Sequence, residues 1–264
     1  MTPSLKGRFA FRLATTSFIY PAGWAENVRR LAARVDEIEL LFFESAPGSL
    51  PTADDIRELV RLGRDLAVGY NVHLPLDVSP GDADAARRRE AVRRLAECLA
   101  RCSSLAPSSY TLHLPAGRSP TDEARWSAWR HNCRRSIEAL LDTGLNSRRL
   151  AVETLVHPPF ERVQELVEEY DLGVCLDVGH LLICGRDPAA FFRRLARRIA
   201  VVHLHGVADG RDHLGLDCMP PRRRNGILEL LTGFRGTVSL EVFSPSDLQA
   251  SLQVLEQWRR SSSP

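Results

Sequence analysis

Short apolar runs alternate along the chain with longer stretches in which apolar positions recur every three or four residues. The runs fall at 12–18, 37–43, 67–74, 110–114, 150–154, 173–177, 200–206 and 236–243. They read as strands buried on both faces, as in a parallel sheet. The intervening stretches predict helices over 24–33, 52–66, 82–105, 122–141, 160–170, 188–196, 227–231 and 247–258. Their ends carry the expected signals. Thr52, Asp187 and Ser244 stand where N-caps belong, and Asp54 and Asp55 suit a first helical turn. Gly144 marks a helix end, and Pro75 and Pro115 stop the third and fourth strands. Trp126, Trp129, Ile137 and Leu140 share one side of their helix. Eight strands alternating with eight helices over 264 residues fit a (β/α)8 barrel of about 250 residues. No Pro/Gly/Ser-rich linker interrupts the alternation, so one domain over 1–264 is expected, with a frayed tail at 261–264. An open doubly wound sheet is the alternative, disfavoured because no glycine-rich loop follows the first strand.

Polar residues interrupt this pattern at strand ends. The stretch Gly173-Val174-Cys175-Leu176-Asp177-Val178-Gly179-His180 is the clearest case. Asp177 sits where the strand leaves the core, Gly179 would let the chain turn, and His180 would return over the same opening from a loop. By themselves these are a capping Asp and a packed loop His. The same event recurs, however, at His73, His113, Glu153, His203 with His205, and Glu241, and a polar loop carries Asp209, Asp212 and His213. In a barrel the C-terminal strand ends share one face, and that face carries the site. Acids crowded at one mouth repel one another without a cation. Imidazole and carboxylate donors suit zinc most directly, and also manganese or iron. The set exceeds the four to six ligands one ion takes, so two or three ions are expected, with Glu153 as the bridge because it lies midway along the ligand strands. Two ions about 4 Å apart suit in-line displacement at phosphorus.

Charge and cysteine usage narrow the class. A formal net charge of +2 gives no bulk attraction to nucleic acid or to a membrane surface. The arginine clusters at 87–89, 193–198 and 222–224 lie in helical or loop patterns and read as solvated faces. Arg222, Arg223 and Arg224 are kept as a phosphate contact because they follow a ligand-bearing segment. Six cysteines include no CxxC pair, and Cys98 and Cys102 stand one helical turn apart. A soluble cytoplasmic protein with reduced thiols is the simplest reading. No stretch is long and apolar enough to span a bilayer.

The series His73, His113, Glu153, Asp177, His180, His203 and Glu241 resembles that of the xylose isomerase-like superfamily of metal-dependent barrels, which includes endonuclease IV. Sugar isomerases of that superfamily use the later-strand carboxylates with one His. His73 and His113 together are similar instead to the endonuclease IV arrangement, which serves phosphodiester cleavage. The resemblance implies one ion at His73, His113 and Glu153, and a second at Glu153, Asp177, His203 and Glu241. A third would be held by His180 with an Asp-x-His pair, but Asp212 and His213 are adjacent here, which puts that ion in doubt. Glu153, Asp177 and Glu241 are the catalytic candidates. More closely, the stretches 15–21, 39–45, 176–181, 203–207, 212–214 and 240–244 are similar to the cobamide-remodelling phosphodiesterases. That family implies hydrolysis of the nucleotide-loop phosphodiester of a B12-type (adenosylated) cobamide to cobinamide phosphate and a lower-ligand nucleoside. Phe18, Tyr20, Phe42 and Phe43 could meet the corrin, though core is the better reading for Phe42. Thr15, Ser17 and Glu44 are further substrate-contact candidates. An abasic-site endonuclease, a sugar isomerase or epimerase, and a non-catalytic metal-binding barrel are the alternatives.

Overall fold

A computed structural model describes residues 4–117 and 122–261. Eight parallel strands close into a barrel. In chain order they are β1 (Arg12–Thr16), β2 (Glu37–Leu41), β3 (Gly69–His73), β4 (Tyr110–Leu112), β5 (Leu150–Glu153), β6 (Gly173–Asp177), β7 (Ile199–Leu204) and, last in the chain, Thr237–Leu240. Two further strands, β8 (Gly206–Ala208) and β9 (Arg211–Leu214), precede that last one, which is therefore β10. Around the barrel the order is β1-β10-β7-β6-β5-β4-β3-β2, so the first and last staves are neighbours and the sheet has no edge. This excludes the open doubly wound alternative.

The helices follow as α1 (Trp24–Leu31), α2 (Ala53–Asp65), α3 (Ala85–Cys102), α4 (Glu123–Leu141), α5 (Gln164–Glu169), α6 (Val178–Ile183), α7 (Pro188–Leu195), α8 (Pro221–Leu230) and α9 (Pro245–Ser261). Local chemistry sets their starts. The Thr52 hydroxyl accepts from the Asp55 amide in a reciprocal capping box on α2, Asp187 caps α7, and the Ser244 hydroxyl accepts from the Asp247 amide at the start of α9. Strand positions alternate between two environments. Residues such as Leu13, Ile38, Leu40, Val72, Val152, Leu176, Val202 and Leu240 join one large buried cluster with the inner faces of the helices. A separate small apolar cluster, Ala151, Cys175 and Val201, lies inside the lumen. The rest of the lumen is polar, as hydrogen bonds between non-adjacent staves show: β2 Glu39 reaches β7 His203, and β2 Glu37 reaches β10 Thr237.

Three local expectations need correction. The polar loop after β7 is the antiparallel hairpin β8–β9. Its turn is Asp209-Gly210, both at positive φ (51° and 73°), the geometry an Asp-Gly pair favours. His180 is not in a loop. Asp177 ends β6 and caps α6, its Oδ1 accepting from the His180 amide at 2.7 Å, so His180 lies in the first turn of a helix. Gly179 accordingly makes no turn; a Cβ there would fall 1.9 Å from the His205 ring, so this glycine permits a close approach. The helix expected over 227–231 begins earlier, at Pro221, a residue suited to a first helical position. The tail expected at 261–264 lies, beyond Ser261, outside the described residues.

Candidate metal centre

The strand ends deliver their ligands to one place. His73, Glu153 and Asp177 are the last residues of β3, β5 and β6; His203 is next to last in β7; His113 and Glu241 lie one residue past β4 and β10. Glu153 is the hub. Its Oε2 is 3.1 Å from His73 Nε2 and 2.8 Å from His113 Nε2, and its Oε1 is 3.2 Å from His180 Nδ1. A second group meets around His203 Nδ1, which lies 3.1 Å from Glu241 Oε2, 3.7 Å from Glu153 Oε2 and 3.8 Å from Asp177 Oδ2. Glu153 therefore borders both groups.

The third group forms despite the missing spacer. Ligand atoms of His180, Asp212 and His213 lie within 4.8 Å of one another. Adjacent strand residues normally point to opposite faces. His213 escapes this because it sits at φ 53°, a left-handed conformation that His adopts more readily than most residues. The hairpin is tied to the barrel by the His213 amide, which donates to His205 Nδ1 at 2.9 Å.

The imidazoles offset the buried carboxylates, but hydrogen bonding is incomplete. Burial works against ionisation of Glu153, yet the imidazoles of His113 and His180 outweigh it and hold the carboxyl well below the usual range. Burial likewise opposes ionisation of Asp177, and His205 and His180 override it to keep that acid ionised. Burial would lower His180, whereas Asp177 and Glu153 push it up to about 10. Burial would also lower His203, which is fully buried, but Cys175, Glu241 and Glu39 hold it well above its ordinary value. Among the ligand residues, two buried atoms have no hydrogen-bond partner: His203 Nδ1 and Glu241 Oε2. They face each other at the centre of the second group. A divalent cation would displace the proton from His203 Nδ1 and draw on both atoms at once, so the residues present fit such an ion.

The other expected site residues scatter. Thr15 is fully buried and its hydroxyl donates to the Leu240 carbonyl, so it offers a substrate no surface. The Ser17 hydroxyl, also buried, accepts from the Leu41 amide. Tyr20 is half-buried, with the Arg30 guanidinium 4.8 Å over its ring, and Glu44 is exposed, accepting from Ser49. Phe42 is core. Phe18 and Phe43 remain exposed, edge to face at 4.8 Å, and Phe243 extends them: it lies 6.1 Å from Phe43 and 5.1 Å from His213. Arg222 and Arg223 line a cleft with Arg186 and Asp187 between α7 and α8, and none of the ligand residues lines it.

Two residues escape the sequence reading. Phe243 lies in a stretch already singled out for the resemblance, but its exposure beside His213 is a fact of three dimensions. Glu39 is fully buried, accepts from His203 Nε2 at 2.9 Å, and takes a second hydrogen bond from Ser239. Its signal is present in the chain: Glu37 and Glu39 are two acids at strand spacing in an otherwise apolar run, so both face the lumen.

The profile of the family described as "Xylose isomerase-like TIM barrel" matches residues 29–260. No curated protein matches by sequence. Among solved structures, a D-tagatose 3-epimerase-like protein superposes with a TM-score of 0.77 at 19% identity, over 95% of this chain and 98% of that one. Endonuclease IV from Thermus thermophilus gives 0.71 at 18%, over 95% and 100%. An AP endonuclease, family 2, from Brucella melitensis gives 0.68 at 20%, over 94% and 99%. At these identities the likeness shows the fold alone. No helix among the described residues is long and apolar enough to cross a membrane.

Proposed function

This chain belongs to the xylose isomerase-like TIM barrel family, and within that family we propose that it is a metal-dependent phosphodiesterase acting on the nucleotide loop of a B12-type cobamide. One observation carries the reading. Two imidazoles, His73 and His113, converge on one oxygen of Glu153, while Glu153 also borders the His203 group. An isomerase reading, with Glu153 and Glu241 moving protons, leaves those two histidines without a task.

His73, His113 and Glu153 would hold one divalent ion, and Glu153, Asp177, His203 and Glu241 a second. His180, Asp212 and His213 offer a third position. Bound there, the ions would supply Lewis acidity toward the phosphoryl oxygens and a lowered pKa for water. The protein's own groups do the rest. The carboxylates ring the lumen mouth and fix where the phosphate can lie. Glu241 Oε2 faces His203 Nδ1 and would hold the ion, which leaves the other oxygen of that carboxylate as the acceptor for the proton of the attacking water. The ribosyl oxygen departs as its bond to phosphorus breaks and takes up that proton, leaving cobinamide phosphate and the nucleoside. The exposed rings of Phe18, Phe43 and Phe243, contiguous with His213, supply an apolar edge for a large flat ligand beside the ligand groups.

Mass spectrometry of products tests this directly, with reduced, metal-loaded protein and an adenosylated cobamide. Cobinamide phosphate and free nucleoside, in equal amounts, are the expected outcome. An intact cobamide from protein that holds metal would overturn the substrate assignment and direct the assay to abasic DNA and keto sugars.

A further inference from the structure

β7 and the residue after it carry His203 and His205, two buried imidazoles two positions apart that reach the same carboxylates. Their outer partners differ in kind. At His203 the outer partner is an acceptor: Glu39 Oε1 sits 2.9 Å from Nε2, and the second Glu39 oxygen is occupied by the Ser239 hydroxyl. The Nε2 position must therefore keep its proton, and Nδ1 is the nitrogen that faces Glu241, Glu153 and Asp177 and would give up its own to a metal. At His205 the outer partner is a donor: the His213 amide points at Nδ1 from 2.9 Å. That nitrogen must be bare, so in the neutral ring Nε2 carries the proton and donates it to Asp177 Oδ2, 3.4 Å away.

We propose that these outer partners sort the two histidines, with Glu39 positioning His203 as a metal ligand through Nδ1 and the His213 amide making His205 a hydrogen-bond donor to Asp177 rather than a ligand. Three observations support it together. His203 Nδ1 is buried and has no hydrogen-bond partner, whereas both nitrogens of His205 are engaged. Glu39 is itself fully buried and points into the lumen from β2, across the barrel from β7. Gly179 leaves no room for the His205 ring to shift toward α6: a side chain there would meet the ring at 1.9 Å, so the ring already fills that space. Carboxylates that accept the second N–H of a ligating imidazole fix its tautomer and its orientation. Glu39 is thus a positioning residue that acts through His203. The inference rests on the metal-centre reading and is independent of the cobamide assignment.

The test uses the whole protein, labelled with 15N in its histidines and loaded with 113Cd2+ as the probe. Cadmium–nitrogen coupling is expected at Nδ1 of His203 and absent at both nitrogens of His205. Coupling at Nε2 of His203, or at either nitrogen of His205, overturns the proposal on the wild-type protein alone. Glu39→Gln is expected to weaken zinc binding about 10- to 100-fold in chelator competition, with Ser239→Ala giving a smaller loss in the same direction. Wild-type affinity in Glu39→Gln overturns the positioning role. Wild-type protein that binds neither ion overturns the metal centre and this inference with it, while an inactive protein that shows the expected couplings overturns only the substrate assignment.

Discussion

Glu37 and Glu39 are two residues apart on one strand, both buried in the same lumen, and they do opposite things. Glu37, deeper in the barrel, is closed off by donors. Arg12 reaches it at 2.5 Å, Thr237 at 3.0 Å, Ser108 at 2.8 Å and Asn71 at 3.3 Å. Glu39, one layer nearer the mouth, has an imidazole and a hydroxyl. Above it Glu153, Asp177 and Glu241 meet imidazoles in place of arginine and hydroxyls, and His203 Nδ1 and Glu241 Oε2 have no hydrogen-bond partner. A buried carboxylate surrounded by donors is a structural tie. A ring of carboxylates and imidazoles, whose protons a metal displaces, is a binding site for a cation. The same residue type thus reads as scaffold or as site according to the balance of hydrogen-bonding groups around it.

That contrast can be broken from either end. The largest effect is expected for Glu153→Gln, which should cost about 100-fold or more in metal affinity and activity together, since the bridge is itself a ligand. Full activity in that variant, measured alongside bound metal, would remove the bridging role. Next comes Glu37→Ala. It should cost about 3 kcal/mol in denaturant unfolding, because Asn71, Ser108 and Thr237 lose their acceptor, yet leave zinc affinity of the folded fraction unchanged. A matching fall in affinity would erase the distinction between the two ends. Asp212→Ala should reduce the metal content by one equivalent and leave the Glu153 groups loaded; unchanged metal content by elemental analysis would dismiss the third position.

A pH series sharpens the contrast further. His180 is raised from an ordinary 6.5 to about 10, so its pairing with Asp177 and Glu153 contributes fully below about 6.5 and is lost as pH rises through about 10. Metal-free protein should therefore lose stability between pH 7 and 9. Saturating zinc takes over from the proton and flattens the slope, so the gap in unfolding midpoint with and without zinc should widen with pH. A constant gap would mean that proton and metal do not compete at His180. The smallest effect is expected for Phe43→Ala at the exposed rim: KM for a cobamide raised about two- to tenfold with metal content untouched. An unaltered KM would take the aromatic edge out of substrate binding.

The barrel and the mouth of the site are legible because each strand advertises its end with one chemically distinctive residue. His73, Glu153, Asp177, His203 and Glu241 are found from period and position alone. Glu39 is harder, since it stands mid-strand and its importance depends on a partner 164 residues away across the lumen. His180 reads as a loop residue because Gly179 suggests a turn; Asp177 serving as both strand end and helix cap makes a helix possible instead. The third group looks doubtful from the adjacency of Asp212 and His213. A single left-handed residue at 213 changes which way the two side chains point, and no pattern of side chains reports that. Thr15 misleads in the opposite direction: a hydroxyl near a strand end invites a ligand, but period two turns it toward a neighbouring strand's carbonyl.

Because β10 pairs with β1 on one side and β7 on the other, the stave that brings Glu241 to the mouth is also the one that closes the ring. An open ring that lacked this stave would leave His203 Nδ1 without the carboxylate 3.1 Å from it. The second ion is in this sense a seal on closure: a chain that holds it is a chain whose ring is complete.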